Sequence, residues 1–124
     1  MKNAFLTICP LFLFAFFAQA QLTNTRWKGQ MMIPSPNEVI LDFRIDTVYL
    51  FVLPDSQLVE TMIYSRKDSI ITLTKVSGHS PCDETQVGKY QVSWKDDNLH
   101  MLPTNDPCES RFNAFIDAPW TKLN

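Results

Sequence analysis

The chain has 124 residues, with 11 basic and 13 acidic side chains, and its formal net charge at neutral pH is −2. Charges of both signs are scattered along it and form no basic stripe of the kind that nucleic acid or an anionic membrane requires. Length and charge together indicate a single domain and exclude the nucleic-acid-binding class.

Residues 1–20 have the pattern of a secretory signal peptide. Lys2 supplies a short positive start, residues 4–18 are apolar apart from one threonine, and Ala18-Gln19-Ala20 places small residues where a signal peptidase reads. The apolar run is too short, and too interrupted by Pro10, for a good transmembrane span. The sequence therefore predicts a secreted or periplasmic protein, cleaved before Gln21, whose one domain covers residues 21–124.

The rest of the chain contains short runs of β-branched and aromatic residues, each bounded by turn residues, with Pro confined to the turns. No window shows a convincing helical period, and the short connections favour antiparallel neighbours. The pattern predicts an all-β fold in which eight antiparallel strands close into an up-and-down barrel; a two-sheet sandwich is the alternative. The predicted strands are residues 27–33, 38–45, 47–53, 58–64, 70–76, 87–95, 99–102 and 111–116.

Cysteine usage predicts one disulfide. Cys9 falls within the predicted signal peptide, which leaves Cys82 and Cys108 as an even count in an exported chain. The bridge would join the loops before the sixth and eighth predicted strands, which lie at the same end of a meander. Two cysteines without a nearby pair of histidines make a poor zinc site, so no metal is expected.

Two segments resemble the lipocalin-like (calycin) superfamily. The first is "TNTRWKGQ" (residues 23–30), with a Trp and a Gly in the first strand; the second is "CDETQVGKYQVSWKDDNLHMLPTNDPCESR" (residues 82–111), which is similar to a pattern of small secreted bacterial lipocalin-like domains. In that superfamily the first-strand Trp packs across the closed end of the barrel, under an Arg from the last strand. The resemblance therefore implies structural roles for Trp27 and Arg111, in a cation–π contact. Thr25 stands where lipocalins have Gly, so the resemblance is to the wider superfamily.

Catalytic chemistry has little support in the sequence. No Gly-x-Ser-x-Gly elbow is present, and both mature cysteines are expected to be oxidised. His79 lies in a predicted loop, and His100 lies in a predicted strand but points outward, which disfavours a haem site. The acidic pairs at residues 83–84 and 96–97 lack the spacing of a calcium loop. We therefore expect no catalytic residues and no cofactor.

The inward-facing residues of the predicted strands are the candidate ligand-binding set. They are apolar with a few hydroxyl groups, as small-ligand sites tend to be, but an eight-stranded barrel is also narrow enough for side chains to fill it completely. The candidate set is Leu41, Phe43, Tyr64, Tyr90, Trp94, Met101 and Phe112.

Glu60 is the residue whose orientation matters most. It shares a strand face with Met62 and Tyr64, and if that face points inward, the buried carboxylate requires a polar ligand group or a partner such as Arg44. If Val59 and its alternate neighbours point inward instead, Glu60 is a surface residue.

The function favoured by the sequence is the binding of a small hydrophobic or amphipathic ligand at the open end of the barrel, without catalysis. The alternative is a protein-interaction or protease-inhibitor-type module, in which a filled barrel presents residues 77–86 and 103–110 to a partner protein.

Overall fold

Residues 22–124, the part of the chain that this computed structural model describes, contain eight β-strands and one short helix. The predicted signal peptide lies outside the described residues. The strands are β1 (Thr25–Met32), β2 (Pro36–Phe43), β3 (Thr47–Val52), β4 (Gln57–Lys67), β5 (Ile70–Gly78), β6 (Gly88–Lys95), β7 (Asn98–Asn105) and β8 (Thr121–Leu123), and helix α1 (Glu109–Ala114) lies between β7 and β8.

The strands form one antiparallel sheet in the order β7-β6-β5-β4-β3-β2-β1-β8. The two edges of the sheet meet where Leu99 of β7 and Trp120, just before β8, exchange two backbone hydrogen bonds of 2.9 and 2.7 Å. The result is a nearly closed barrel, and the prediction of an eight-stranded antiparallel barrel is confirmed.

The antiparallel order gives the barrel two ends. The turns after β2, β4 and β6 lie at one end, near the first described residues, and we call this the N-terminal end. The connections after β1, β3 and β5 lie at the other end together with α1, and we call this the helix end.

The predicted strand at residues 111–116 is wrong, because most of this segment is helix α1. Arg111, Ala114 and Phe115 are buried, and their spacing of three and four residues is that of one helical face. A six-residue helix is too short for this period to stand out in the sequence. The same turn of helix directs Phe112 outward, where 42% of its surface is exposed, so the expectation that it faces the interior is wrong.

The barrel interior is filled with side chains over most of its length, as alternation along the strands requires. Near the N-terminal end Phe43 and Tyr64 pack edge to face, with ring centroids 5.1 Å apart. Nearer the helix end, the ring of Phe115 lies 4.6 Å from that of Tyr90 and 6.3 Å from that of Trp120. The segment after α1 is thereby packed into the core.

Trp27 is buried in β1, and its indole N–H donates a 2.8 Å hydrogen bond to the hydroxyl of Thr25. The implied contact with Arg111 is not formed, because Arg111 lies on α1 at the helix end of the barrel. Between residues 22 and 124, the cation–π contact joins Arg66 to Trp94, with the guanidinium 4.8 Å from the ring centroid.

The predicted disulfide is confirmed between Cys82 and Cys108, whose Cα atoms are 5.4 Å apart. It joins the β5–β6 connection to the residue immediately before α1, and both lie at the helix end. The bridge therefore limits how far the helix can move from the sheet.

Reduction of this disulfide should destabilise the domain. Opening the 26-residue separation removes about 3.5 kcal/mol of chain-entropy stabilisation, which for a domain of this size lowers the melting temperature by roughly 10 °C or more. Thermal melts with and without reductant would measure the shift. A Cys82→Ser/Cys108→Ser variant is the control, because its melting temperature should not respond to reductant; an unchanged melt of the reduced wild-type protein would contradict the prediction.

Candidate ligand-binding site

A cavity of about 260 Å³ lies at the helix end of the barrel. It is larger than the roughly 150 Å³ apolar cavity that is known to take up benzene in another protein. Side chains from β1, β3, β4 and α1, and from the β5–β6 connection, form its walls. Its apolar lining includes Met31, Leu50, Val59, Met62, Ala114 and Phe115, and its polar lining is Glu60, His79, Ser80, Ser110 and Arg111.

An irregularity in β4 shapes one wall of this cavity. Glu60 pairs with Leu50 and Leu58 with Phe51, so Val59 is an extra residue without a partner on β3. Such a β-bulge re-aims the side chains beside it, and here both Val59 and Glu60 line the cavity.

The bulge and the alternation beyond it decide the orientation of Glu60. Met62 and Tyr64 are buried on the same face, whereas Ile63 is 52% exposed. Glu60 itself is only 6% exposed. Of the two orientations left open by the sequence, the inward one is therefore correct.

The carboxylate of Glu60 has one hydrogen-bond partner in the described part of the chain. Its Oε2 accepts a hydrogen bond from the hydroxyl of Ser80, whereas Oε1 is buried and has no hydrogen-bond partner among residues 22–124. Arg44, the partner expected from the sequence, lies beyond the far end of β2 and pairs with Asp42 at 3.0 Å. A buried carboxylate oxygen without a donor is costly, and this makes Oε1 a candidate contact for a ligand.

Gly78 provides the space for this carboxylate. It is the cross-strand partner of Glu60, and its φ of +138° is one that other residues rarely adopt. A Cβ atom at this position would lie 1.8 Å from Oε1 of Glu60 and 2.5 Å from the carbonyl oxygen of Val59. A side chain at residue 78 would therefore displace the carboxylate.

The second polar group of the cavity, Arg111, belongs to a buried network around Asp106. The guanidinium donates to Asp106 through Nε at 2.6 Å and Nη2 at 2.8 Å, and Nη2 also donates to the carbonyl of Gln86 at 2.9 Å. Asp106, whose side chain is fully buried, also accepts hydrogen bonds from the Tyr90 hydroxyl and the Cys108 backbone N–H. Nη1 of Arg111 is buried without a partner in the described part of the chain.

Pairing determines the protonation state of this network. Burial alone would raise the pKa of Asp106, but the hydrogen bonds from Arg111, Tyr90 and Cys108 lower it below its usual value. Burial likewise tends to lower the pKa of Arg111, but Asp106 raises it above its ordinary value. The pKa of Tyr90 is raised, first by burial and then by Asp106. The stable state is therefore a carboxylate, a guanidinium and a neutral phenol.

The sequence-predicted ligand set lies mostly elsewhere. Five of its seven members are buried in the packed core, Trp94 is half-buried against Arg66, and Phe112 is exposed on α1; none lines the cavity. The five core members are Leu41, Phe43, Tyr64, Tyr90 and Met101.

The sequence pattern does not identify most of the residues that line the cavity, because the bulge and α1 are needed to place them together. Glu60 is the exception, since its position on an otherwise apolar strand face drew attention to it.

The two histidines considered in the sequence lie in different parts of the barrel. His79 is exposed at the cavity, and His100 is half-buried on β7. Residues 22–124 contain no cluster of three or more His, Cys, Asp and Glu side chains suited to a metal ion. The helix in this range is also too short to cross a membrane.

Comparison with protein-family models, with curated proteins and with solved structures gives no significant match for this chain. The barrel fold is therefore inferred from the strand order and register of this chain alone.

Replacement of Asp106 by Asn should destabilise the fold in a pH-dependent manner. It leaves the buried Arg111 without its counter-charge, which typically costs about 3–5 kcal/mol at neutral pH. Because the folded-state pKa of Asp106 is depressed, the wild-type advantage is present above the unfolded-state value of about 4 and is lost as the pH falls through the folded-state value. Urea unfolding of both proteins between pH 7 and pH 3 would measure this.

The matched control is Asp117→Asn, which changes an exposed carboxylate and should alter stability by less than about 0.5 kcal/mol. A free-energy difference between Asp106→Asn and wild type that does not change with pH would contradict the assignment of Asp106 as a charged partner of Arg111.

Proposed function

We propose that this protein binds a small amphipathic molecule in the cavity at the helix end of its barrel and acts as a binding protein without catalysis. The observation that carries the proposal is an apolar cavity of about 260 Å³ whose lining includes Glu60 and Arg111, two side chains that each have a buried polar atom, Oε1 and Nη1, without a hydrogen-bond partner in residues 22–124. Small-molecule sites typically combine apolar walls with a few fixed polar groups in this way.

The size of the cavity limits the ligand and its affinity. Scaled from the roughly 150 Å³ cavity that holds benzene, it accommodates about ten non-hydrogen atoms. At the efficiencies usual for small ligands, such a molecule binds with a dissociation constant in the micromolar range or weaker.

The proposed class is an exported lipocalin-like protein. The nearly closed antiparallel barrel of eight strands is compatible with this class, as are the segments noted in the sequence. A disulfide of this kind is typical of oxidising environments, such as the periplasm or the extracellular space. The signal-peptide pattern of residues 1–20 supports the same compartments.

Two exposed apolar side chains support a second candidate function, a protein-interaction module. Phe112 of α1 is 42% exposed and Val87, just before β6, is 44% exposed, and both lie at the helix end. There they accompany the predicted partner-binding segments, residues 77–86 and 103–110. The cavity nevertheless favours a small ligand, because a filled barrel does not require two buried polar atoms that lack partners in residues 22–124.

Filling the cavity should weaken binding without unfolding the protein. Ala114→Leu adds bulk inside the cavity, whereas Asn113→Leu adds the same side chain on the exposed side of α1. In NMR titrations with 2-phenylethanol as the probe, we expect wild type and Asn113→Leu to bind alike and Ala114→Leu to bind at least five-fold more weakly. Equal binding by the two variants would refute the cavity as the site.

Export should leave a defined mature chain. When expressed with its complete sequence in a bacterium, the protein should be recovered outside the cytoplasm with Gln21 as its first residue and with Cys82 and Cys108 oxidised. Intact-mass measurement before and after alkylation reads out both properties. Recovery of the unprocessed chain from the cytoplasm with free thiols would count against the exported class.

A further inference from the structure

We propose, building on the small-molecule function above, that the ligand is a small amphipathic amine that also carries a neutral hydrogen-bond acceptor. Its ammonium group binds Oε1 of Glu60, its acceptor binds Nη1 of Arg111, and its apolar body packs against Met62 and Phe115. The inference rests on the charges and hydrogen bonds of these side chains within one cavity.

The negative charge of Glu60 has no cationic partner in residues 22–124. The ion pairs in this range join arginines or lysines to Asp42, Glu38 and Asp106, and none involves Glu60. Lys75 donates to the backbone carbonyl of Ser80 and forms no ion pair with the carboxylate. Since the only hydrogen bond to the Glu60 carboxylate from residues 22–124 comes from a neutral hydroxyl, a cationic ligand would supply the missing charge.

Arg111 differs, because its charge is already balanced. Asp106 binds its guanidinium through two hydrogen bonds and shares its burial. What Nη1 lacks is an acceptor atom, and a neutral hydroxyl, ether or carbonyl oxygen suffices. A second anion here would add to the negative charges of Glu60 and Asp106, so a monocation with a neutral acceptor fits best.

Both polar atoms are held in place before a ligand arrives. The bulge at Val59, the hydroxyl of Ser80 and the absence of a side chain at Gly78 fix the carboxylate of Glu60. Asp106 fixes Arg111. Such pre-organisation lowers the entropic cost of binding and favours a ligand that contacts both the sheet and α1.

The same arrangement disfavours two other ligand classes. A fatty acid or another carboxylate would place a negative charge beside the unpaired charge of Glu60. A divalent metal ion requires several oxygen ligands, whereas Glu60 belongs to no acidic or histidine cluster within the described range.

Four probes of similar size separate these possibilities in calorimetric titrations at pH 7. Tyramine carries an ammonium and a hydroxyl acceptor, 2-phenylethylamine carries the ammonium alone, 2-phenylethanol is neutral, and 3-phenylpropanoate is an anion. We expect wild type to bind tyramine most tightly, then 2-phenylethylamine, and to prefer 2-phenylethylamine to 2-phenylethanol by at least ten-fold. The anion should bind most weakly.

Glu60→Gln is the decisive variant, because it removes the charge while keeping the shape and an acceptor for Ser80. It should weaken binding of both amines at least ten-fold and change binding of 2-phenylethanol by less than two-fold. Glu109→Gln, which removes an exposed carboxylate of α1, controls for general electrostatic attraction and should leave all four affinities within two-fold. A thermal melt of each variant confirms that it is folded.

The outcomes separate this inference from the proposed function. If 2-phenylethanol binds as well as the amines, or if Glu60→Gln leaves amine affinity unchanged, the amine assignment is overturned while the cavity remains a binding site. If tyramine binds no more tightly than 2-phenylethylamine, the role of Arg111 is overturned. If none of the four probes binds, both the inference and the proposed function are overturned.

Discussion

The buried ion pair between Asp106 and Arg111 is the interaction on which the helix end of the barrel depends. Asp106 follows β7, Arg111 lies on α1, and the same carboxylate accepts a hydrogen bond from Tyr90 of β6. Buried charges are tolerated only when they are paired and hydrogen-bonded, so neither residue can leave this arrangement without a large cost in free energy. The pair thus fixes α1 against the sheet. Arg111 also lines the cavity, and its Nη1 atom has no hydrogen-bond partner among the residues that the structure describes.

Two glycines leave the space in which the carboxylates of Glu60 and Asp106 enter the barrel interior. Gly78 leaves room for Glu60, and Gly88 leaves room for Asp106, whose Oδ2 atom would lie 2.4 Å from a Cβ at residue 88. The two acidic groups nevertheless differ in their surroundings. Asp106 is neutralised by Arg111, whereas the carboxylate of Glu60 is bound, within residues 22–124, by the hydroxyl of Ser80 alone. The first is typical of a structural ion pair, and the second is typical of a site that is completed by a ligand.

The sequence predicts the barrel better than it predicts the cavity. Strand alternation, turn residues and the pair Cys82 and Cys108 are local signals, and they lead to the antiparallel order, to seven of the eight strands and to the bridge, whereas β8 was not predicted. The helix at residues 109–114 was missed because six residues cannot display a clear helical period. The cavity could not be located because it depends on the extra residue Val59 in β4 and on where α1 packs, neither of which local alternation reveals. Glu60 was singled out, but only its three-dimensional register shows that it points inward.

The closure of the barrel is uneven around its circumference. Seven strand pairs form ladders, whereas the junction between β7 and the last strand consists of the two hydrogen bonds between Leu99 and Trp120. Local opening requires the least free energy where few backbone bonds must break. This junction is therefore the place where the barrel opens most easily. Opening there would weaken the packing of Trp120 and of the Phe115 ring beside it. Because Phe115 also lines the cavity, opening of this junction would disturb one wall of the cavity.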